Sequence, residues 1–431
     1  MKIKSLATTL GLVALLSSGG LSPALGTGVE ATKKADIYNL GMQVGDRNTD
    51  RAFTWYTKKI GEQSVKIAPV KEMVGGKLPE GARTVKEEKS GVSIDRARLY
   101  HQAHVMGLKA NTRYAYQVGS DKNGWSDVYT FSTPKSFATD NGEFLAVGDP
   151  QIGSGNGKPN DAEGWNRTVT AAAKAHPNAR FLLSLGDQID TGTGKQYDAF
   201  FAPDVMRTLP HMTIKGNHEM LNPVSHIQHF RQPNQKGTGD YWYKDAGVLF
   251  IVLDSNNPNW KKHGQFIKDV KADQGRDANW TVVAFHHAPY SSGPHRDDAD
   301  VKLLREKLPE YIAEADVDLV MNGHDHVYTR SYLTNGDGAK VAGAKGGSKQ
   351  VKKKGEAIYM TATSSSGSKF YSNKDDADWA AVAKGNKVPG YVGVKAQRCS
   401  LRVTAYEVST TGKRGTLDTF TLTDRSNRGC K

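Results

Sequence analysis

The chain has 431 residues, 37% of them hydrophobic and 24% charged, with a formal net charge of +13 and two cysteines. That length allows two or three domains with sizeable cores, and the composition excludes an intrinsically disordered chain. Two cysteines exclude a structural zinc ribbon. No nucleic-acid motif accompanies the positive charge, so no specific nucleic-acid partner is expected. The charge reads as solubility and steering of anionic substrates, with an anionic cell-wall polymer as the alternative partner.

Residues 1–26 read as a secretory signal peptide. Lys2 and Lys4 start it, Leu10 to Leu16 form its apolar centre, and Ala24-Leu25-Gly26 is a small-x-small cleavage site. Cleavage after Ala31 is an alternative. The apolar centre is too short to span a bilayer, and no later stretch is long enough, so no transmembrane segment is expected. The expected location is secreted, either extracellular or associated with the cell wall. In such a compartment Cys399 and Cys430 are expected to form one disulfide near the C-terminus, two free thiols being the alternative.

Residues 37–136 read as a small all-β sandwich. Asn111 to Val118 alternates, with Tyr114, Tyr116 and Val118 on one face. Asp121-Lys122-Asn123-Gly124 is a turn, and Val128 to Phe131 starts the next strand. Pro134 and the polar run 138–142 close the unit.

Residues 142–425 form the second unit, in which strands and helices alternate. Strands are expected at Phe144 to Val147, Phe181 to Leu185, Met212 to Ile214, Val248 to Leu253, Thr281 to Phe285 and Val317 to Met321. Helices are expected at Trp165 to Ala175, near Tyr197 to Thr208, between the strands at 253 and 281, and over 300–314. This alternation argues an α/β core with a largely parallel sheet. Residues 340–354, with six lysines and three glycines, read as a flexible surface loop, the alternative being a clamp for anionic substrate. The chain then returns to β near Ala357 to Thr361, Leu401 to Val408 and Thr416 to Leu422.

Binding sites in such sheets lie at the carboxyl ends of strands. Five clusters fall there: Gly148-Asp149, Gly186-Asp187, Gly216-Asn217-His218-Glu219, His286-His287 and Gly323-His324-Asp325-His326. Singly, each is an ordinary turn or a packed core histidine. Together they supply a hard-to-borderline oxygen and nitrogen ligand set, suited to Fe, Zn, Mn or Co rather than Ca. Six protein ligands are too many for one open catalytic ion and suit two ions sharing a carboxylate. Two ions about 3.5–4 Å apart can clamp a phosphoryl group.

In this order the clusters resemble the motifs of the calcineurin-like metallophosphoesterases: GD, GD, GNH with an acidic residue, a His before x-Pro (His287-Ala288-Pro289), and GHxH. The extension Val327-Tyr328-Thr329-Arg330-Ser331 is similar to the purple acid phosphatase branch. So is the β-sandwich, through Gly107-Leu108, Tyr116-Gln117-Val118-Gly119 and Trp125-Ser126. The resemblance implies a four-layer β-sheet core flanked by helices, preceded by a fibronectin-III-like sandwich. It also implies two divalent or trivalent metal ions. Asp149 and His326 would hold the first, Asp187 would bridge, and Asn217, His287 and His324 would hold the second. His218 would sit over the phosphate and assist the leaving group, and His295 would contact substrate. His286, Asp190, Gln151 and Glu219 are assigned to substrate contact or to support of the ligands.

Two positions depart from the family. Purple acid phosphatases carry a tyrosine, a ferric ligand, three residues after the bridging aspartate, where this chain has Asp190. Gln151 stands where the broader superfamily has a ligating histidine. A purple colour is therefore not expected. The implied activity is hydrolysis of phosphomonoesters by a secreted dinuclear-metal phosphatase, through in-line attack of a metal-activated hydroxide. The rival readings are a phosphodiesterase or nucleotide hydrolase at the same site, and a wall-binding protein with a vestigial metal site.

Overall fold

Val248–Val252 and Trp280–Ala284 are runs without alternation, and each becomes a strand buried on both faces. The computed structural model describes residues 35–94, 97–135, 141–155, 160–235, 237, 239–374, 376–424 and 430, so the expected signal peptide lies outside the described residues.

Two mixed sheets face each other in the C-terminal part. One runs in space as Lys349–Lys352, Arg414–Asp424, Ser400–Val408, Gly390–Gln397, Gly142–Val147, Ala179–Ser184 and His211–Thr213. The other runs Tyr241–Asp245, Val248–Val252, Trp280–Ala284, Leu319–Asn322, Ile358–Thr361, Tyr328–Ser331 and Ala380–Lys384. Aromatic rings fill the space between them. Phe144 stacks on Phe181 at 5.4 Å, and Phe250 meets both edge-on at 4.9 and 5.2 Å. The helices Asn160–Ala175 and Gly194–Phe201 bury Trp165 and Phe200 against the outer face of the first sheet. The helices Trp260–Gln274 and Ala299–Glu314 bury Ile267, Leu308 and Ile312 against the second. The result is the expected four-layer core.

The sheets are mixed rather than largely parallel. Strands joined by helical crossovers pair in parallel, as in Val248–Val252 with Trp280–Ala284 and then Leu319–Asn322. The chain after residue 389 instead returns through tight turns, so Gly390–Gln397, Ser400–Val408 and Arg414–Asp424 are antiparallel. The helix expected near Tyr197 to Thr208 is two, Gly194–Phe201 and Val205–Thr208. Pro203 stands between them, without the N–H a helix interior needs.

The run 340–354 is not a flexible loop throughout. Lys349–Lys352 is an edge strand parallel to Arg414–Asp424, with Gln350 and Lys352 buried. The Lys352 ammonium lies 2.5 Å from the buried Asp318 and 3.0 Å from the partly exposed Asp316, so this lysine is held in an ion-pair cluster and is not free to clamp an anion. Alternation at the strand is what the lysine count concealed.

The N-terminal residues form a sandwich around Met42, Phe53, Trp55, Ile67, Tyr116 and Val118. One of its layers, from Tyr38–Val44 through Arg51–Thr57 and Leu99–Val105 to Lys89–Val92, continues the first of these sheets by a parallel bridge from Gln43 to His211. Cys399 and Cys430 are disulfide-bonded, as expected. Among the described residues no helix is long and apolar enough to cross a membrane.

Candidate active site

Each cluster lies just beyond the carboxyl end of a buried strand: Gly142–Val147, Ala179–Ser184, His211–Thr213, Trp280–Ala284 or Leu319–Asn322. The first three strands belong to one sheet and the last two to the other, so the loops meet over the seam between the sheets. The turns are tight. Asp149, Gln151, Asp187, His324 and His326 have φ of 38°, 37°, 48°, 74° and 44°, in the left-handed region that side chains with a Cβ seldom adopt. Hydrogen bonds hold them there. The His324 N–H donates to both Asp149 oxygens, at 2.8 and 2.9 Å. Glu219, fully buried, accepts from the N–H groups of Asp187 (2.9 Å), Gln188 (2.8 Å) and Gly216 (2.7 Å). A Cβ on Gly216 would fall 2.0 Å from Asp187 Oδ1, so only glycine lets that loop approach the aspartate.

The donor atoms converge. His286 Nε2 lies 3.2 Å from Asp187 Oδ2, 3.0 Å from Asn217 Oδ1 and 4.0 Å from Asp149 Oδ1. His324 Nδ1 is 3.1 Å from Asn217 Oδ1 and 3.2 Å from His286 Nε2. His326 Nε2 stands 3.7 Å from Asp149 Oδ1. Backbone carbonyls set two of the rings. His286 Nδ1–H donates to Leu185 O at 2.9 Å and His326 Nδ1–H to Lys369 O at 2.8 Å, which directs each Nε2 into the site.

One expected ligand is displaced. The His287 ring packs 4.7 Å from that of His324, but its nitrogens are engaged elsewhere: Nδ1 pairs with Ser255 Oγ at 2.8 Å, and Nε2 is 3.6 Å from Asp300. His286, expected only to support the ligands, takes the place among Asp187, Asn217 and His324. In the bend after the strand the two side chains diverge, so that His286 Nε2 meets Asp187 and Asn217 whereas His287 Nε2 faces Asp300. The His-x-Pro spacing pointed to His287, whereas the structure directs His286 at the other donors.

His218 borders this cluster. Its Nδ1–H donates to Asp190 O at 2.7 Å, and its Nε2 receives the Gln151 amide at 2.6 Å. Asp190 Oδ1 is 3.2 Å from Nδ1, so Asp190 faces His218. His295 lies with its ring 4.6 Å from that of His324 and its Nδ1 2.8 Å from Asp298. Two residues escaped the sequence reading. Tyr371 places its hydroxyl 3.3 Å from His295 Nε2 and its ring 5.0 Å from His326. Asp325 accepts from the His295 N–H at 2.9 Å and so fixes that loop. A lone tyrosine in a Ser- and Gly-rich stretch carries no sequence signal.

Electrostatics fit a cation. Burial pushes the Asp149 carboxyl well above the usual range, against the pull of His286. Burial would raise Asp187 too, but His286 and His218 hold it at about 2. Against burial, the two aspartates push His286 up to about 10, so without a metal a buried proton supplies the positive charge between them. Burial and neighbouring imidazoles keep His324 well below its usual value, and burial holds His326 at about 4, leaving both neutral as metal ligation requires. Gln151 Oε1 is buried without a partner, an acceptor in want of a cation or a donor. The donors are oxygen and nitrogen throughout, so the residues present fit a dinuclear centre of Fe, Zn or Mn.

Residues 38–133 match the family described as Purple acid Phosphatase, N-terminal domain, and residues 142–328 match Calcineurin-like phosphoesterase. The chain is 23% identical to Purple acid phosphatase 15 of Arabidopsis thaliana over 54% of its own length and 49% of that protein. It is 27% identical to Purple acid phosphatase 21 of the same plant over 56% of its length and 59% of the relative's. The chain thus spans about half the length of the curated relatives it matches. The purple acid phosphatase PPD1 from yellow lupin (Lupinus luteus) seeds superposes with a TM-score of 0.71 at 18% identity, covering 90% of this chain and 75% of that one, which shows the fold. Residues 142–328 thus carry a calcineurin-like phosphoesterase domain, preceded over residues 38–133 by the N-terminal domain of the purple acid phosphatases.

Proposed function

We propose that this chain is a secreted phosphatase that hydrolyses phosphomonoesters at a dinuclear metal centre. The observation that carries the reading is the convergence of Asp149, Asp187, Asn217, His286, His324 and His326 from five strand ends onto one buried seam. In this reading Asp149 and His326 would hold one ion, Asn217, His286 and His324 would hold the other, and Asp187 would be shared between them. When bound, the ions supply Lewis-acid polarisation of the phosphoryl group and activation of water.

The chain's own residues do the rest. Asp190 O accepts from His218 Nδ1–H, so in the neutral ring Nε2 is the acceptor, and the imidazolium form, protonated at both nitrogens, is the one that can pass its Nε2 proton to the departing oxygen. Gln151 Nε2 holds that atom until substrate replaces it. His295 and Tyr371 form a polar wall where phosphate oxygens can be bound. Buried Glu219 keeps the bridging aspartate in its left-handed turn. Export is supported by the pattern of residues 1–26 and by the Cys399–Cys430 disulfide.

The test is metal analysis of the purified protein together with hydrolysis of an aryl phosphomonoester and its bis-ester after reconstitution with Fe, Zn or Mn. About two metals per chain with monoester turnover is expected from a shared-carboxylate site. Turnover of the bis-ester alone would replace the reading with a phosphodiesterase. No bound metal and no turnover would leave a binding protein.

A further inference from the structure

The helix Pro223–His229 is inside out. Its buried residues are Ser225, His226, Gln228 and His229, whereas Val224 and Ile227 face solvent at 49% and 59% exposure. A surface helix ordinarily buries its apolar face. Here the polar face is used to dock the N-terminal sandwich. His229 Nδ1 meets the Tyr56 hydroxyl at 3.0 Å, and the His229 carbonyl accepts from Thr54 and Gln43 at 2.8 and 3.0 Å. Gln228 bonds the backbone of Val92 and Ile94. The consequence is an exposed apolar face that crosses both units: Met220, Leu221, Val224 and Ile227 from one, Val92 and Ile94 from the other.

That face adjoins the reaction centre through the chain itself. The 3-10 helix His218–Leu221 begins with the leaving-group histidine and ends with Met220 and Leu221. Asn222 then caps the inside-out helix and donates to Gly192 O at 3.3 Å, in the same loop as Asp190, which holds His218. Six half-exposed aliphatic side chains offer a few hundred Å², short of the roughly 800 Å² per partner that a stable protein interface buries. They suit a hydrocarbon chain.

We propose that this face binds the hydrocarbon part of the leaving group, so that the preferred substrate is an amphiphilic phosphomonoester carrying an alkyl or acyl chain. The inference rests on the phosphatase reading, which sets His218 on the leaving-group side. A substrate would place its phosphate over the seam and run its chain from His218 along Leu221 to Ile227. A short ester would make none of these contacts.

The experiment uses n-alkyl phosphates from ethyl to decyl, kept below their micelle concentrations, as substrates, and n-alkyl phosphonates as non-hydrolysed ligands in titration calorimetry, both on the metal-loaded full chain. Phosphonate affinity and kcat/KM are expected to rise roughly two- to fourfold per methylene over the first several carbons, the range set by partial to full burial of each group. The double substitution Val224→Ser with Ile227→Ser is expected to flatten that rise. A rise that persists in the double variant overturns the inference, as does hydrolysis of ethyl phosphate with no chain-length effect, which leaves the phosphatase reading standing. A chain-length effect on phosphonate binding with no turnover of any ester supports the hydrocarbon surface and removes the phosphatase reading. Capture on anionic phospholipid vesicles, with no effect of chain length on monomers, assigns the face to a membrane and overturns the inference.

Discussion

His286 Nε2 lies 3.2 Å from Asp187 Oδ2, while the neighbouring His287 pairs with Ser255 at 2.8 Å. His286→Ala is therefore expected to lose bound metal and to lower kcat/KM by more than about 100-fold, beyond the usual cost of removing a supporting partner. His287→Ala, which removes a packed ring and one hydroxyl contact, is expected to keep its metal and to lose less than about tenfold. Metal analysis of the two variants side by side checks the assignment. The reverse order would restore His287 as the ligand.

Glu219 gathers four backbone N–H groups, those of Asp187, Gln188, Ile189 and Gly216, from the two loops that carry Asp187 and Asn217. Glu219→Ala strands these donors in a buried place, at about 1–3 kcal/mol each before relaxation. The expected outcome is a loss of about 3–5 kcal/mol in stability, with weakened metal retention. Denaturant melts of the apo protein, followed by metal titration, separate the two effects. An unchanged melt would mean that water satisfies the loop without the carboxylate.

Lys352 and Lys353 are adjacent and should behave differently. Lys352 is buried on Asp316 and Asp318, whereas Lys353 is exposed. Lys352→Ala leaves the buried Asp318 carboxylate without its cation and is expected to cost about 3–5 kcal/mol. Lys353→Ala is expected to stay within about 0.5 kcal/mol of wild type. Equal, small effects in thermal melts would return the whole run to a solvated loop.

His211 sits at the joint between the sandwich and the catalytic sheet, buried beside Phe201 and Phe230. Burial holds it at about 3, against an ordinary value of 6.5. The folded state therefore does not take up the proton that the unfolded chain binds below pH 6.5. Stability should fall as pH drops from there toward 3, by up to about 1.4 kcal/mol per pH unit from this one residue. His211→Leu is expected to flatten that acid limb, read as the midpoint of urea unfolding at pH 6 and pH 4. A limb as steep in the variant as in wild type would place the acid sensitivity elsewhere.

Much of this protein is determined by sequence alone because its signals are local. Apolar runs of strand length, Gly-Asp and Gly-Asn-His turns just after them, and their order along the chain name the family and nearly all of the converging side chains. A strand end positions the next residue within a few ångströms, so Asp149, Asp187, Asn217, His324 and His326 could be read without coordinates. The tertiary structure decided what depends on direction and on distant partners. Which of His286 and His287 faces the seam follows from how the Trp280–Ala284 strand lies between its neighbours. Tyr371 reaches His295 across 76 residues, and Lys352 reaches Asp318 across 34. The apolar face of Pro223–His229 is left exposed only because the sandwich takes up its polar face, a choice made by docking and invisible in the helix's own periodicity.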